Sequence, residues 1–600
     1  MDLSRREVVR RLAGLATAAS LWASTLFVLD DEIPSIVGGR NVRNNSRRNM
    51  DIPRRRTAGA TTTTSGTSTT TTDPTTTTSA RQAKESTTTS AAAEDTTTTT
   101  HGEHDHESTT TEAALQPVSA VKTITGTIGP VEIPAGEHWR LAGDVTLTGD
   151  LMVAGVLSNE PAGSIDGQGK YGIHAHGGGR LQLEGSPKSA WARWGESASG
   201  WSGGDRLAVA PTGPGVYDKG QTSWGGSWGS TARPGGCEAV ALPSGTIQPE
   251  VVNMSQTFVI KGVTRLMMME PAGAVKHVLR SIRIVDSGVA GKLGFYPLHF
   301  HRMGNATRGT VVEDVVVEGG RNHAFVVHGS HGVTLRRCVA VDTTNDVFWW
   351  DTNNEDASDA RKSDDIVYDR CGVLGARPAD GKAYITGFMA SESRTRNQFK
   401  QCWAAGVRGG NEPQGFHWPG FGNAVWENQG CVAHNCAQGV RWWENSISHL
   451  APRMDGFTAY RNGRWSLMHG AYGNPMRVFD SVLVGPATVH VAGKQADAGW
   501  LTGMASTVVD ADGADFCIEF AGSNSPETMQ FPIDLTNCDL NSARGPAIRI
   551  ASNSKDRWLV LRDVRVNGNP IEPGDISKDS GGPWTVEAYR GSDLAWSQTY

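Results

Sequence analysis

His299 and His301 stand two residues apart in YPLHFH, His328 follows in FVVHGSHGV, and Asp351 closes the run DVFWWD. Successive side chains of a strand point to opposite faces, so an imidazole pair at this spacing shares one face. With His328 and Asp351 supplied by neighbouring segments, the four could form a site of three nitrogens and one oxygen for a divalent cation, Ca2+ or a transition metal. A bound cation would polarise a substrate oxygen or an attacking water. The competing arrangement is a hydrogen-bonded polar ladder that holds no metal.

A second carboxylate, Glu444, ends RWWE as Asp351 ends FWWD. Asp351 and Glu444 are the nearest candidates for the acid and partner carboxylate of glycoside hydrolysis. Lyase chemistry would instead need a base beside a uronate and a group that stabilises the enolate, roles open to His328 and His301. Trp349, Trp350, Trp442 and Trp443 flank the two carboxylates, and His417 with Trp418 lies between them in GFHWPG. Indole faces stack on the apolar faces of pyranose rings, so these residues could line a groove for a polysaccharide; as core caps they would do nothing of the kind. His469 in SLMHG extends the series.

The elements that must position these groups follow from self-similarity. Shifted by 23 residues (351 − 328 = 23), Asn322 falls on Asn345, His323 on Asp346 and His328 on Asp351. A period of this length marks one coil of a stacked structure, in which equivalent residues form columns. Cys338, Cys371, Cys402 and Cys431 each follow a polar or charged residue or Gly and open a short apolar run. Such a column reads as a ladder of packed thiols rather than disulfides; Cys436, Cys517 and Cys538 are open between the two states. CVAHNCAQGVRWWE aligns with CVAVDTTNDVFWWD, which would put Trp442, Trp443 and Glu444 on Trp349, Trp350 and Asp351. If the columns hold, one face presents His299 or His301, His328, Asp351, His417, Glu444 and His469, with tryptophans beside them.

Upstream, IPAGEHWRLAGDVTLTGDLMVAGVL, GRLQLEGSPKSAWARW and GGDRLAVAPTG are short period-two runs punctuated by Gly and Pro, which read as strands with tight turns. Asp205 in the Gly-Gly-Asp is expected as a turn residue. Residues 1–30 carry Arg5 and Arg6 ahead of an apolar run and resemble a twin-arginine export signal that could also remain as an anchor. Residues 31–117, centred on TTTTSGTSTTTTDPTTTT, hold too few apolar residues for a core and are expected to be a disordered stalk. His101, His104 and His106 in HGEHDHE are expected to be solvated polar groups of that stalk. A net charge of −6 over 600 residues gives no basic footprint for nucleic acid.

The series IPAGEHWRLAGDVTLTGDLMVAGVL, GRLQLEGSPKSAWARW, GGDRLAVAPTG, YPLHFH and VVHGSHGV resembles the G8-domain family of hyaluronidase-like proteins over roughly residues 120–375. The resemblance implies an all-β chain in which a G8-like β-domain, expected at 118–250, leads into a right-handed parallel β-helix of the pectate-lyase-like type; the continuing repeats extend that helix over 251–567, and the polar tail at 568–600 is expected to cap its open end. It also implies an extracellular, polysaccharide-handling protein. Hydrolase, lyase and non-catalytic carbohydrate-binding surface protein all fit these residues, as does a purely structural spike.

Overall fold

The computed structural model describes residues 120–215, 223–225, 233–349, 363–379, 385–389, 397–410, 413–418, 426–442, 453–469, 477–491, 503–522, 532–551, 557–579 and 583–600. The expected signal, the Thr-rich stalk, Trp350, Asp351, Trp443 and Glu444 lie outside the described residues. Among the described residues there are strands and short 3-10 turns and no α-helix.

Each coil contributes three short strands, and successive coils pair them in parallel. Val311–Glu313, Val316–Glu318 and Phe325–Ser330 pair with Thr334–Arg336, Val339–Thr344 and Phe348–Trp349 of the next coil. The 23-residue shift is therefore one turn of the helix, with Phe325 opposite Phe348 and Val326 opposite Trp349. Asn345 Nδ2 donates to Asn322 Oδ1 at 2.8 Å, and His323 Nδ1 lies 2.8 Å from the Asp346 carbonyl, so the matched polar residues tie adjacent coils together.

Inward columns fill the core. Phe325, Phe348, Phe388 and Phe416 stack with ring centroids 4.7, 4.6 and 4.8 Å apart, the spacing of neighbouring strands. Burying each ring is worth about 1.5–3 kcal/mol. The four aligned cysteines form the expected thiol column: Cys338, Cys371, Cys402 and Cys431 are buried and free, as are Cys436, Cys517 and Cys538. Cys371, Cys402 and Cys431 Sγ donate to Leu335, Tyr368 and Phe399 carbonyls of the preceding coil at 3.2, 3.2 and 3.5 Å. Burial pushes the Cys371 and Cys431 thiols well up. The residue ahead of each cysteine (Arg337, Arg370, Gln401, Gly430) takes a positive φ of 49–61°. This is the corner between the first and second strands of a coil, and only the left-handed region turns it so tightly. Gly430 has no side chain to strain there, and the Arg337 side chain turns to Asp314 and Glu313 at 2.6 and 2.8 Å.

The parallel ladder starts earlier than the boundary expected at 250/251. Lys122–Ile128, His138–Leu147 and Val156–Asp166 already pair in parallel, and Phe258–Lys261 continues directly on Gly163–Asp166. Residues 191–253 leave the stack and form a separate antiparallel sheet from Trp191–Arg193, Arg206–Val209, Ser223–Gly225 and Glu250–Asn253. Asp205 is more than a turn residue there: besides accepting from Ser202 N at 3.1 Å, it is 2.8 Å from Lys188 Nζ and 2.7 Å from Asn253 Nδ2. At the other end Trp584–Arg590 pairs in parallel with Arg557–Arg562, and Asp593–Thr599 folds back antiparallel along it. This hairpin covers the edge that a further coil would otherwise meet.

Candidate functional site

The third strand of each coil builds the site. Leu298, Phe300, Phe325 and Val327 point into the core and are fully buried, so alternation sends His299, His301 and His328 outward from the same ladder. His301 is paired with His328, and His299 with Val326. Beyond His301 the register shifts before Gly304 meets Ser330, because one extra residue is inserted. Arg302 absorbs the bulge with φ of 53°. Ser330 Oγ pins it by accepting from Met303 N at 3.1 Å and donating to the His328 carbonyl at 2.9 Å. A bulge re-aims the side chains beside it, and here those are His301 and His328.

The three rings converge. His299 and His301 centroids are 5.0 Å apart, His301 and His328 5.1 Å, and His299 and His328 6.3 Å with planes 6° apart. One ligand atom from each lies within 4.8 Å of the other two. His299 is 1% and His328 5% exposed, while His301 is half-buried. Neither nitrogen of His299 and not Nδ1 of His301 makes a hydrogen bond. Burial, then the neighbouring His301 and His328, holds His299 well below the usual imidazole range, with the Gly294 backbone acting in the other direction. Burial and then Arg302 lower His301, with the Glu270 carboxylate acting in the other direction.

Around the triad sit Tyr296 and Glu270, which spacing did not single out as functional, and Trp349, which it did. The Tyr296 ring meets His299 edge-on at 4.8 Å and His323 at 5.4 Å. Trp349 stacks on His323 at 3.8 Å with planes 14° apart, so one of its faces is already taken. Glu270, which follows the strand Leu266–Met269 of the preceding coil, is the described carboxylate whose charge reaches the cluster. Only its proximity across coils could have marked it, and no local motif does.

The structure does not bring His417 or His469 to this cluster. From Phe348 the ladder passes through Phe388 and Phe416 to Val440, so His417 lies three coils beyond His328, about 14 Å at the usual strand spacing. Its partner is Arg441, and burial followed by that guanidinium lowers its pKa to about 3. His469 pairs with Trp442, which pairs with Trp418. That column is one residue further along than His417.

The alignment of Trp442 with Trp349 is corrected for the same reason. The ladder places Val440, not Arg441, in the column of Phe348. Ten residues separate Cys338 from Phe348 (348 − 338 = 10) and nine separate Cys431 from Val440 (440 − 431 = 9). One residue fewer between corner and strand moves every side chain to the opposite face. Arg441 thus occupies the column of Trp349, and Trp418 and Trp442 belong to the neighbouring one.

Residues 264–361 match the family model described as CEMIP beta-helix, a span that includes all three histidines of the cluster. Among solved structures, the catalytic domain of a GH87 alpha-1,3-glucanase in complex with nigerose is 9% identical, with a TM-score of 0.33, over 66% of this chain and 89% of that one. The tailspike protein gp49 of Pseudomonas phage LKA1 is 11% identical, with a TM-score of 0.22, over 76% of this chain and 75% of its own. The Gp54 tailspike of Acinetobacter baumannii bacteriophage AP22, in complex with A. baumannii capsular saccharide, is 9% identical, with a TM-score of 0.19, over 75% and 74%. None of the curated proteins matches the chain. The G8-like portion falls outside the matched span, and the segment that carries His299, His301 and His328 is a CEMIP-like, right-handed parallel β-helix.

Proposed function

We propose that this chain is an exported, polysaccharide-active enzyme that depolymerises a glycosaminoglycan-like or other acidic glycan at the outward face around His299, His301 and His328. The observation that carries the reading is the convergence of three imidazoles, with both nitrogens of His299 and Nδ1 of His301 left unpaired, inside the span that matches the CEMIP beta-helix family model. A polar cluster that served only to hold the coils together would satisfy its nitrogens, as His323 does on Asp346. In this reading a divalent cation assists the histidines, and Asp351, one period beyond His328 in sequence, supplies the carboxylate. Glu444 serves as second carboxylate, and Trp349, Trp350, Trp418, Trp442 and Trp443 contribute sugar contacts. The Arg5-Arg6 segment exports the protein and the Thr-rich stretch holds it off a membrane or wall.

The test is incubation of the full chain with hyaluronan and a panel of neutral and acidic polysaccharides, with and without a chelator, followed by gel filtration. Shortening that the chelator abolishes supports the metal-assisted enzyme and names its substrate. Retarded migration of the chain with glycan of unchanged length would make it a carbohydrate-binding surface protein instead.

A further inference from the structure

The donor set of the cluster narrows the ion it can hold. This inference rests on the reading of the His299, His301 and His328 face as the reactive one, and concerns the class of ion. Among the described residues this is the one grouping of three metal-ligating side chains, and it offers three nitrogens and no oxygen. Calcium and magnesium take six or more oxygen donors from carboxylates, carbonyls and water, whereas imidazole suits zinc, copper, iron and nickel. The residue paired with His301 on the side away from His328 is Met269, which adds no hard donor.

His299 supplies the second observation. It is 1% exposed, and both of its ring nitrogens lack hydrogen-bond partners. A buried polar group left unmade is costly, and coordination removes that cost. Nitrogens bound to one tetrahedral ion at about 2.0–2.1 Å lie ~3.4 Å from each other. From separations of at most 4.8 Å, the rings need to close by little more than ~1 Å onto such an ion.

We infer that His299, His301 and His328 hold one borderline first-row transition ion of the Zn2+ type in a three-imidazole tripod, with the fourth position opening on the His301 side. Three protein ligands and one open position are the arrangement of a catalytic rather than a structural zinc site. Ca2+ does not bind there.

The experiment uses the full chain in a background where His101, His104 and His106 are replaced by Ala, which removes the competing histidines of the stalk. After chelator treatment the protein is dialysed against Zn2+, Co2+ or Ca2+, and bound metal is measured by mass spectrometry. One Zn2+ or Co2+ per chain is expected, with the visible absorption of low-coordinate Co2+. Both are lost in His299→Leu and in His328→Ala and retained in His417→Ala. Far-UV circular dichroism and thermal melting confirm that each variant folds, and His299→Leu preserves the apolar packing should His328→Ala fail to fold. Unchanged Zn2+ stoichiometry in a folded His299→Leu variant, or Ca2+ bound in preference to Zn2+, overturns the inference. Zinc bound at this site by a chain that shortens no glycan leaves the inference standing and removes the proposed function. Glycan shortening by a chain that binds no Zn2+ or Co2+ does the reverse.

Discussion

Two outward faces of the same coil stack have opposite fates. On the second strand of each coil, Val316, Val339, Trp403 and Val432 point outward and are buried beneath the antiparallel sheet of residues 191–253. On the third strand, His299, His301 and His328 occupy the outward positions. The covered face is closed by matched polar contacts as well as by apolar packing. Trp191 Nε1 donates to the Arg370 carbonyl at 2.5 Å, Arg206 meets Glu318 at 2.6 Å, and Asn435 Nδ2 donates to the carbonyls of Gly213 and Gly215 at 2.6 and 2.5 Å. Its buried histidine, His434, has Glu250 at 3.1 Å on one nitrogen and Asn435 at 2.9 Å on the other. His299 is buried as deeply and has neither. A fold that satisfies one buried imidazole fully and leaves another bare, on identical scaffolding, separates a face closed by polar partners from one with unpartnered nitrogens.

The largest effect is expected on the covered face. Trp403 is fully buried, meets Trp191 edge-on at 5.4 Å, and fills the space left by Gly372, where even a Cβ would stand 2.2 Å from the indole. Trp403→Ala should cost about 3–5 kcal/mol of stability, read as a lowered denaturation midpoint. At a temperature where the variant remains folded, glycan shortening should be unchanged. Loss of activity in that folded variant would mean that the two faces are coupled.

On the bare face the balance inverts. In the metal-free chain His299→Leu removes an unpaired buried polar group and should leave stability within about 1 kcal/mol of the parent or raise it, while glycan shortening by the metal-loaded chain falls about 100-fold or more. Chemical denaturation after chelator treatment and a size assay on the metal-loaded chain measure the two. A loss of several kcal/mol would show that the ring has a structural partner and blunt the contrast with His434.

Acid sharpens the comparison further. A histidine whose pKa is depressed in the fold stays neutral there while the unfolded chain takes up its proton, so stability is lost as pH falls below about 6.5 and continues to fall down to the folded pKa. Burial lowers His277 to about 3 and, together with the nearby Arg265, His174 to about 4. Each of these, and His299, should cost about 1.4 kcal/mol per pH unit below ~6.5. In the metal-free chain the fall between pH 6.5 and 5 should therefore be shallower by about 1.4 kcal/mol per unit in His299→Leu. Glu250 behaves differently: although burial opposes it, the hydrogen bond and charge of His434, with Arg193, hold its carboxyl below the usual range. Its contribution is present above the unfolded carboxylate pKa of about 4.3 and is lost only as pH falls through the lower folded value. Equal slopes for parent and His299→Leu between pH 6.5 and 5 would argue that His299 is protonated in the fold.

The coil architecture was readable because stacking forces equivalent residues into columns, and columns leave a period in the chain: Asn322 with Asn345, His323 with Asp346, and the cysteines with their left-handed corner residues. The same logic placed His299 and His301 together and brought His328 to them. It failed where a coil is one residue shorter, since a period read from CVAHNCAQGVRWWE cannot tell which side of the strand loses the residue. It also could not see that 191–253 leaves the stack, because short strands alternate the same way in a parallel coil and in an antiparallel sheet. Sequence by itself determined the repeat, the thiol column and the identity of the imidazoles. Only the tertiary structure decided that His299, His301 and His328 meet, with both nitrogens of His299 unpartnered, while His417 and His469 stand on later coils. Convergence depends on register, burial and one bulge at Arg302, and these are set by hydrogen bonds between coils rather than by neighbours along the chain.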